Sequence, residues 1–176
     1  PQSQDSYLQN SEYCHGGNMT LSRTFVSFSS TDINSFRLMQ AWKANTRIDF
    51  NFADLQLSSE INSENENYIK SKCRERINIA GTLAVIIGVD TRYKYKYVRW
   101  EIEVAREKQC RLIGINLDGS RTINVDTCPP IMRDAGAIFV PFSPRIVSYA
   151  LSNWKGATSE NWHFNPEVYK NLGYNT

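Results

Sequence analysis

The segment Thr91-Arg-Tyr-Lys-Tyr-Lys-Tyr-Val-Arg-Trp-Glu-Ile-Glu-Val-Ala105 places two glutamates close together in an aromatic and basic setting. On a helical wheel with Tyr97 at zero and about 100° per residue, Trp100 and Val104 fall at about 300° and 340°. Ala105, Val98 and Ile102 fall at about 80°, 100° and 140°, so Glu101, at about 40°, lies in the middle of the apolar arc. Glu103 falls at about 240°, with Arg99, Lys96 and Arg106, on the solvated face. A carboxyl held against apolar and aromatic groups is disfavoured in its charged form, which raises its pKa. Such carboxyls concentrate at active sites, but a structural glutamate paired with an arginine or capping a backbone N–H is perturbed by the same physics. Both roles fit Glu101.

The cations and rings that alternate from Arg92 to Arg99 have the composition of a single-stranded nucleic-acid site. The formal net charge of +2 is too small to call for a nucleic-acid or membrane partner. The segment therefore reads as an amphipathic helix whose tyrosines pack while its lysines reach water. Other chemistries find little support. The four cysteines, Cys14, Cys73, Cys110 and Cys128, match no zinc spacing, and Cys73 and Cys110 sit in apolar-periodic surroundings as reduced, small hydrophobes. No metal site is expected, and a reducing cytoplasm is the expected compartment. The two histidines, His15 and His163, fall in the least patterned segments, which argues against a Ser/His/Asp hydrolase. Neither a glycine-rich dinucleotide fingerprint nor a P-loop occurs.

The elements that must position Glu101 follow from periodicity. Strands are predicted at Thr24–Phe28, Ile48–Phe52, Thr82–Ile87, Arg111–Leu117 and Ala137–Phe142. Between them lie helical patterns: Phe36 to Trp42, a stretch through Ile69, Cys73 and Ile77 after the capping box Ser63-x-x-Glu66, and Tyr93 to Lys108. Ser143-Pro144 opens a closing helix through Trp154. Strands alternating with helices predict an α/β, three-layer flavodoxin-like fold with a central, mainly parallel five-stranded sheet. Pro141 places its strand at an edge, or itself at a strand end. At 176 residues there is room for one core. The expected organisation is a flexible leader or extension over 1–18, the domain over 19–154, and a loosely docked C-terminal extension over 155–176. Ligands of parallel α/β sheets bind beyond the carboxyl ends of the strands. That rule singles out the loops Ser29–Asp32, Asp54–Ser63 and Gly88–Tyr93.

Phe25-Val-Ser-Phe28 followed by Asp32, Asp54 at the end of the second predicted strand, and Tyr97-Val-Arg-Trp-Glu101-Ile after the strand to Gly88 together resemble Toll/interleukin-receptor (TIR) domains. With Cys110-Arg-Leu-Ile-Gly-Ile-Asn, the sequence is similar to the bacterial TIR-like proteins of Thoeris anti-phage defence, the ThsB type. The resemblance covers roughly residues 22–154. It implies an enzyme that cleaves the nicotinamide–ribose bond of NAD+, with NAD+ as substrate and no cofactor. It also implies a cyclic ADP-ribose isomer or related ADP-ribose conjugate as product, which reaches a separate effector protein as a diffusible signal. Self-association through TIR surfaces is a further implied contact.

Glu101 stands at the family's catalytic position, which joins the resemblance to the wheel. Tyr97, one turn earlier, would stack on the nicotinamide ring. Phe28, Ser29, Ser30 and Asp32 match the first-loop positions that line the nucleotide, and Asp54 matches a second-loop position near the site. Bland roles stay open for three of these: Phe28 as core, Asp32 as a helix cap, Asp54 as a strand-end cap. The chain departs from the family with Tyr97 for the usual tryptophan, Val98 for a frequent cysteine, and serines where some active members carry arginine. Phosphate binding then falls to Arg92, Arg99 or a neighbouring subunit. The rival reading is a catalytically silent TIR-like module that binds other TIR-like surfaces.

Overall fold

The structure, a computed structural model, describes residues 23–44, 66–93 and 96–175. Its centre is the strand β2 (Thr82–Ile87), whose six residues are all buried. A strand covered on both faces needs apolar residues throughout, and Thr-Leu-Ala-Val-Ile-Ile supplies them. Because side chains alternate along a strand, Leu83, Val85 and Ile87 enter one core and Ala84 and Ile86 the other. On either side run β1 (Thr24–Ser27), β3 (Arg111–Asn116), β4 (Ala135–Pro141) and β5 (Glu160–His163). They form one sheet in the order β1-β2-β3-β4-β5, and every neighbouring pair is parallel.

The first face of the sheet is covered by helices α2 (Glu66–Ile77) and α3 (Lys96–Glu107), which pack Cys73, Ile77, Val98, Ile102, Val104 and Ala105 against Phe25, Leu83, Val85 and Ile87. The second face is covered by α1 (Ile33–Ala44), α4 (Pro144–Asn153) and α5 (Pro166–Asn171), through Phe36, Met39, Ile146, Val147, Ala150 and Tyr169. This is the expected three-layer α/β architecture with a parallel sheet. The predicted strand Ile48–Phe52, Asp54 and the capping box at Ser63 lie outside the described residues, as do residues 1–22. Pro141 is the last residue of β4, where its missing N–H costs no ladder bond inside the strand.

The expectation that residues from Lys155 onward form a loosely docked extension is corrected. Trp162, Phe164 and Tyr169 are 4%, 3% and 1% exposed, so this segment completes the second core, and β5 extends the sheet beyond β4. His163 lies in this strand, four strands across the sheet from β1, and not in an unpatterned segment. Two physical facts hid the strand. Glu-Asn-Trp-His buries only Trp162 fully, too short a signal for period two. In addition, the connection β2–α3–β3 passes over the first face and β4–α4–β5 over the second, while both step the same way across the sheet. The two crossovers therefore have opposite hands, and one departs from the right-handed rule that holds in about 98% of cases.

The same segment also caps α4. Ser143 precedes the helix, but its hydroxyl makes no cap bond. Tyr174 supplies the group instead: its hydroxyl accepts from the Ile146 N–H at 3.2 Å and pairs with Ser143 Oγ. Arg145 donates to the Leu172 carbonyl at 3.1 Å, and the Arg121 guanidinium lies 4.3 Å from the Tyr169 ring centroid.

Gly136 is the position on which this docking turns. It sits at φ +77° in the bulge opposite β5, and a Cβ there would lie 2.1 Å from the Ala157 carbonyl oxygen. Gly136→Ala is expected to lower stability by more than about 2 kcal/mol, combining a strained backbone with a backbone clash. Urea unfolding measures this, and a change within about 0.5 kcal/mol would mean that residues 155–175 do not pass along β4.

Candidate active site

Helix α3 follows β2 in the chain, beyond the turn at Val89–Tyr93, and Glu101 lies between one and two turns into it. Val98, Ile102 and Ala105 fix which face of α3 points at the sheet, and Glu101 goes in with them, 5% exposed. Glu103 points the other way, accepting from Arg99 Nε at 2.9 Å and lying 3.5 Å from Lys70 Nζ. The opposite environments read from the wheel are thus realised, although Glu103 is held by an ion-pair cluster and is not merely solvated.

Burial pushes the Glu101 carboxyl from an ordinary 4.5 up to about 7, opposed by the Ser27 hydroxyl and, more weakly, by the charge of Arg76 on α2. Ser27 is the last residue of β1, 1% exposed, on the same face as Phe25. The two groups interact, yet their geometry falls short of a hydrogen bond, and Ser27 Oγ has no partner. Cys73 faces the same region from α2; burial first, and then the Glu101 charge, push its thiol up to about 12. It is therefore a neutral packing group and no nucleophile at physiological pH.

The first loop is tied to the loop after β2. Ser29 is buried, its Oγ 3.1 Å from Thr31 Oγ1, and its carbonyl accepts from the Asp32 N–H at 2.8 Å. Thr91, fully buried, donates to Asp32 Oδ2 at 3.2 Å and accepts from the Gly88 N–H at 2.8 Å. Gly88 allows this approach, since a Cβ there would stand 2.4 Å from Asp32 Oδ1. Burial raises the Asp32 pKa, opposed by the Thr91 bond and reinforced by Asp90. Asp32 is thus a cross-loop clamp between the loop after β1 and the loop after β2.

The other sequence-predicted residues are spread more widely. Phe28 stacks on Phe36, centroids 4.7 Å apart, and packs with the second-face core, away from the face that holds Glu101. Ser30 is exposed on the first loop. Tyr97 is half exposed, with its ring edge-on to Trp100 at 5.5 Å. Asp54 lies outside the described residues. Ser27, Thr91 and Arg76 escaped the sequence reading. Only Ser27 carried a signal, because strand alternation puts it on Phe25's side. Among the described residues no cluster of His, Cys, Asp and Glu side chains could hold a metal ion.

A parallel sheet, a buried carboxyl on the helix after its second described strand, and a clamped first loop make a specific combination. The family described as Thoeris protein ThsB, TIR-like domain, matches residues 25–122, more than half of the chain. The chain belongs to this family. A search of curated proteins gave no match. The ThsB-type span takes in Ser27, Asp32, Thr91 and Glu101, whereas β4, α4 and β5 lie beyond it. Membership supports a TIR-type role in defence. No helix among the described residues is long and apolar enough to cross a membrane.

The buried carboxyl has a consequence for stability. A folded pKa raised above the unfolded value makes the native state bind the extra proton, so the stabilising contribution is complete below about pH 4.5 and is lost as pH rises through about 7. Glu101→Gln lacks this titration. Its stability relative to wild type is expected to climb by about 3 kcal/mol between pH 4.5 and 7 and then level off, as read by urea unfolding at each pH. A difference independent of pH would mean that Glu101 titrates normally.

Proposed function

We propose that this ThsB-type domain cleaves the nicotinamide–ribose bond of NAD+ and turns the ADP-ribose moiety into a cyclic isomer or a related conjugate. That product acts as a diffusible signal to a separate effector protein in anti-phage defence. The observation that supports the reading is the buried Glu101 carboxyl, raised in pKa by that burial and lying on α3 within the family span.

Breaking the C1′–N bond sends its electron pair to nicotinamide and leaves positive charge on the ribose, as in the oxocarbenium-like transition states of glycoside hydrolysis. An ionised carboxylate in a water-poor setting stabilises that charge more strongly than it would in bulk water. It can also accept hydrogen bonds from ribose hydroxyls and so hold the sugar. The acceptor, losing a proton, then forms the new bond at C1′: water gives hydrolysis, and a nucleophile on the adenosine half of the substrate, such as a ribose hydroxyl, gives a cyclic isomer. Tyr97, exposed one turn before Glu101, offers a ring to nicotinamide, and the Ser29–Asp32 loop offers hydroxyls and N–H groups to the nucleotide. Arg92, on the loop between β2 and α3, offers a cation for the diphosphate. Product chromatography distinguishes hydrolysis, cyclisation and transfer to another acceptor.

The chemistry requires the ionised form of Glu101. In lysates of phage-infected cells, NAD+ cleavage is expected to fall about tenfold per pH unit below about 7. Glu101→Gln is expected to lower nicotinamide release at least about 100-fold with the fold intact. Glu103→Gln, which alters only a partly exposed ion-pair cluster, should stay within about fivefold of wild type. Equal, modest losses in the two variants would remove Glu101 from the reaction.

A further inference from the structure

Among the described residues, Ser27 is a buried polar side chain that acts on Glu101 although its hydroxyl meets no hydrogen-bond geometry. It is 1% exposed, and its hydroxyl oxygen has no partner. Its direction is dictated by the strand. Phe25 packs into the first-face core, Val26 into the second, and Ser27 therefore returns to the first face, under α3. Its neighbours on that face of β2, Leu83, Val85 and Ile87, offer only hydrocarbon side chains. Burying a hydroxyl without a partner is unfavourable, so such a group calls for an account of what satisfies it.

We propose that Ser27 is a positioning residue for Glu101: its hydroxyl donates to the ionised carboxylate and fixes the carboxylate against the first face of the sheet. This rests on the reading of Glu101 as the reactive carboxyl. A hydroxyl bond to the charged form favours that form. Ser27 thereby sets both where the carboxylate oxygens stand and the pH at which they become charged. It does not touch the bond that breaks, and it acts through Glu101. The other groups that face the carboxyl are Arg76, which also favours ionisation, and Cys73, whose neutral thiol adds no charge at physiological pH. Arg99 and Glu103, on α3 itself, pair with each other on the outer side of the helix.

The test separates this role from simple packing, and separates its failure from that of the proposed reaction. Glutamate labelled with 13C at the side-chain carboxyl, assigned with Glu101→Gln, reports the Glu101 titration directly and needs no catalysis. Ser27→Ala deletes only the hydroxyl oxygen and is expected to raise the Glu101 pKa by at least about half a unit. Ser27→Thr, which keeps a hydroxyl, should return it to within about 0.2 units of wild type. Where wild type releases nicotinamide, the acid limb of the pH–rate profile should move alkaline in Ser27→Ala by the same amount and return in Ser27→Thr. An unchanged titration in Ser27→Ala would overturn the proposal, as would equal shifts in the Ala and Thr variants. Absence of nicotinamide release from wild type would sink the proposed reaction and leave the titration to decide the role of Ser27.

Discussion

The structure depends on one arrangement: a carboxyl group turned inward on an amphipathic helix and pressed against a parallel sheet. A helix docks through its apolar stripe, and the stripe of α3 is Val98, Ile102 and Ala105 with Glu101 between them. Docking the stripe therefore buries the charge. Loss of hydration alone disfavours the ionised form by an amount that a hydrophobic residue at the position would not incur. The fold accepts this in its first-face core, next to a serine hydroxyl that meets no hydrogen-bond geometry. Sites that break local rules of this kind are where natural proteins place function.

Around the carboxyl the structure supplies rigidity. The β2 strand is buried on both faces and anchors the start of α3, while the Asp32–Thr91–Gly88 contacts hold the first loop against the loop that leads into that helix. The clamp joins the end of β1 to the end of β2, which are also neighbours in the sheet. A buried carboxyl stabilises a developing charge only if it need not reorganise to do so, and these contacts limit such movement. On the far side, β5 and the Tyr174 contact at the start of α4 close the second core without entering the face that holds Glu101. The family span ends just after β3, so this closure is built from sequence beyond it.

Much of this was legible in the chain. The continuous apolar run of β2 and the helical wheel of α3 each depend on one strong local signal, and each placed its residues correctly. Strand ends moved by a residue or two, since Phe28 and Leu117 leave the ladder just where the chain turns. What escaped has physical reasons. The C-terminal strand is short, polar at three of its four residues, and reached by a crossover of the opposite hand to its neighbour. The roles of Thr91 and Asp32 arise from a contact across 59 positions of sequence, which no local pattern encodes. Phe28 follows the first-loop motif in sequence, yet alternation turns it to the second face, where Phe36 offers a stacking partner. A motif names a position; the strand decides which way the side chain points.

The proposed reaction requires the Glu101 carboxyl to meet the ribose from which nicotinamide departs. It is tested most directly by a structure of the Glu101→Gln protein with NAD+ bound, where the amide preserves shape without supporting the reaction. The Gln side chain is expected within hydrogen-bond reach, about 3.2 Å or less, of a hydroxyl on the nicotinamide-side ribose. NAD+ seated on the second face of the sheet, or with that ribose turned away from position 101, would contradict it.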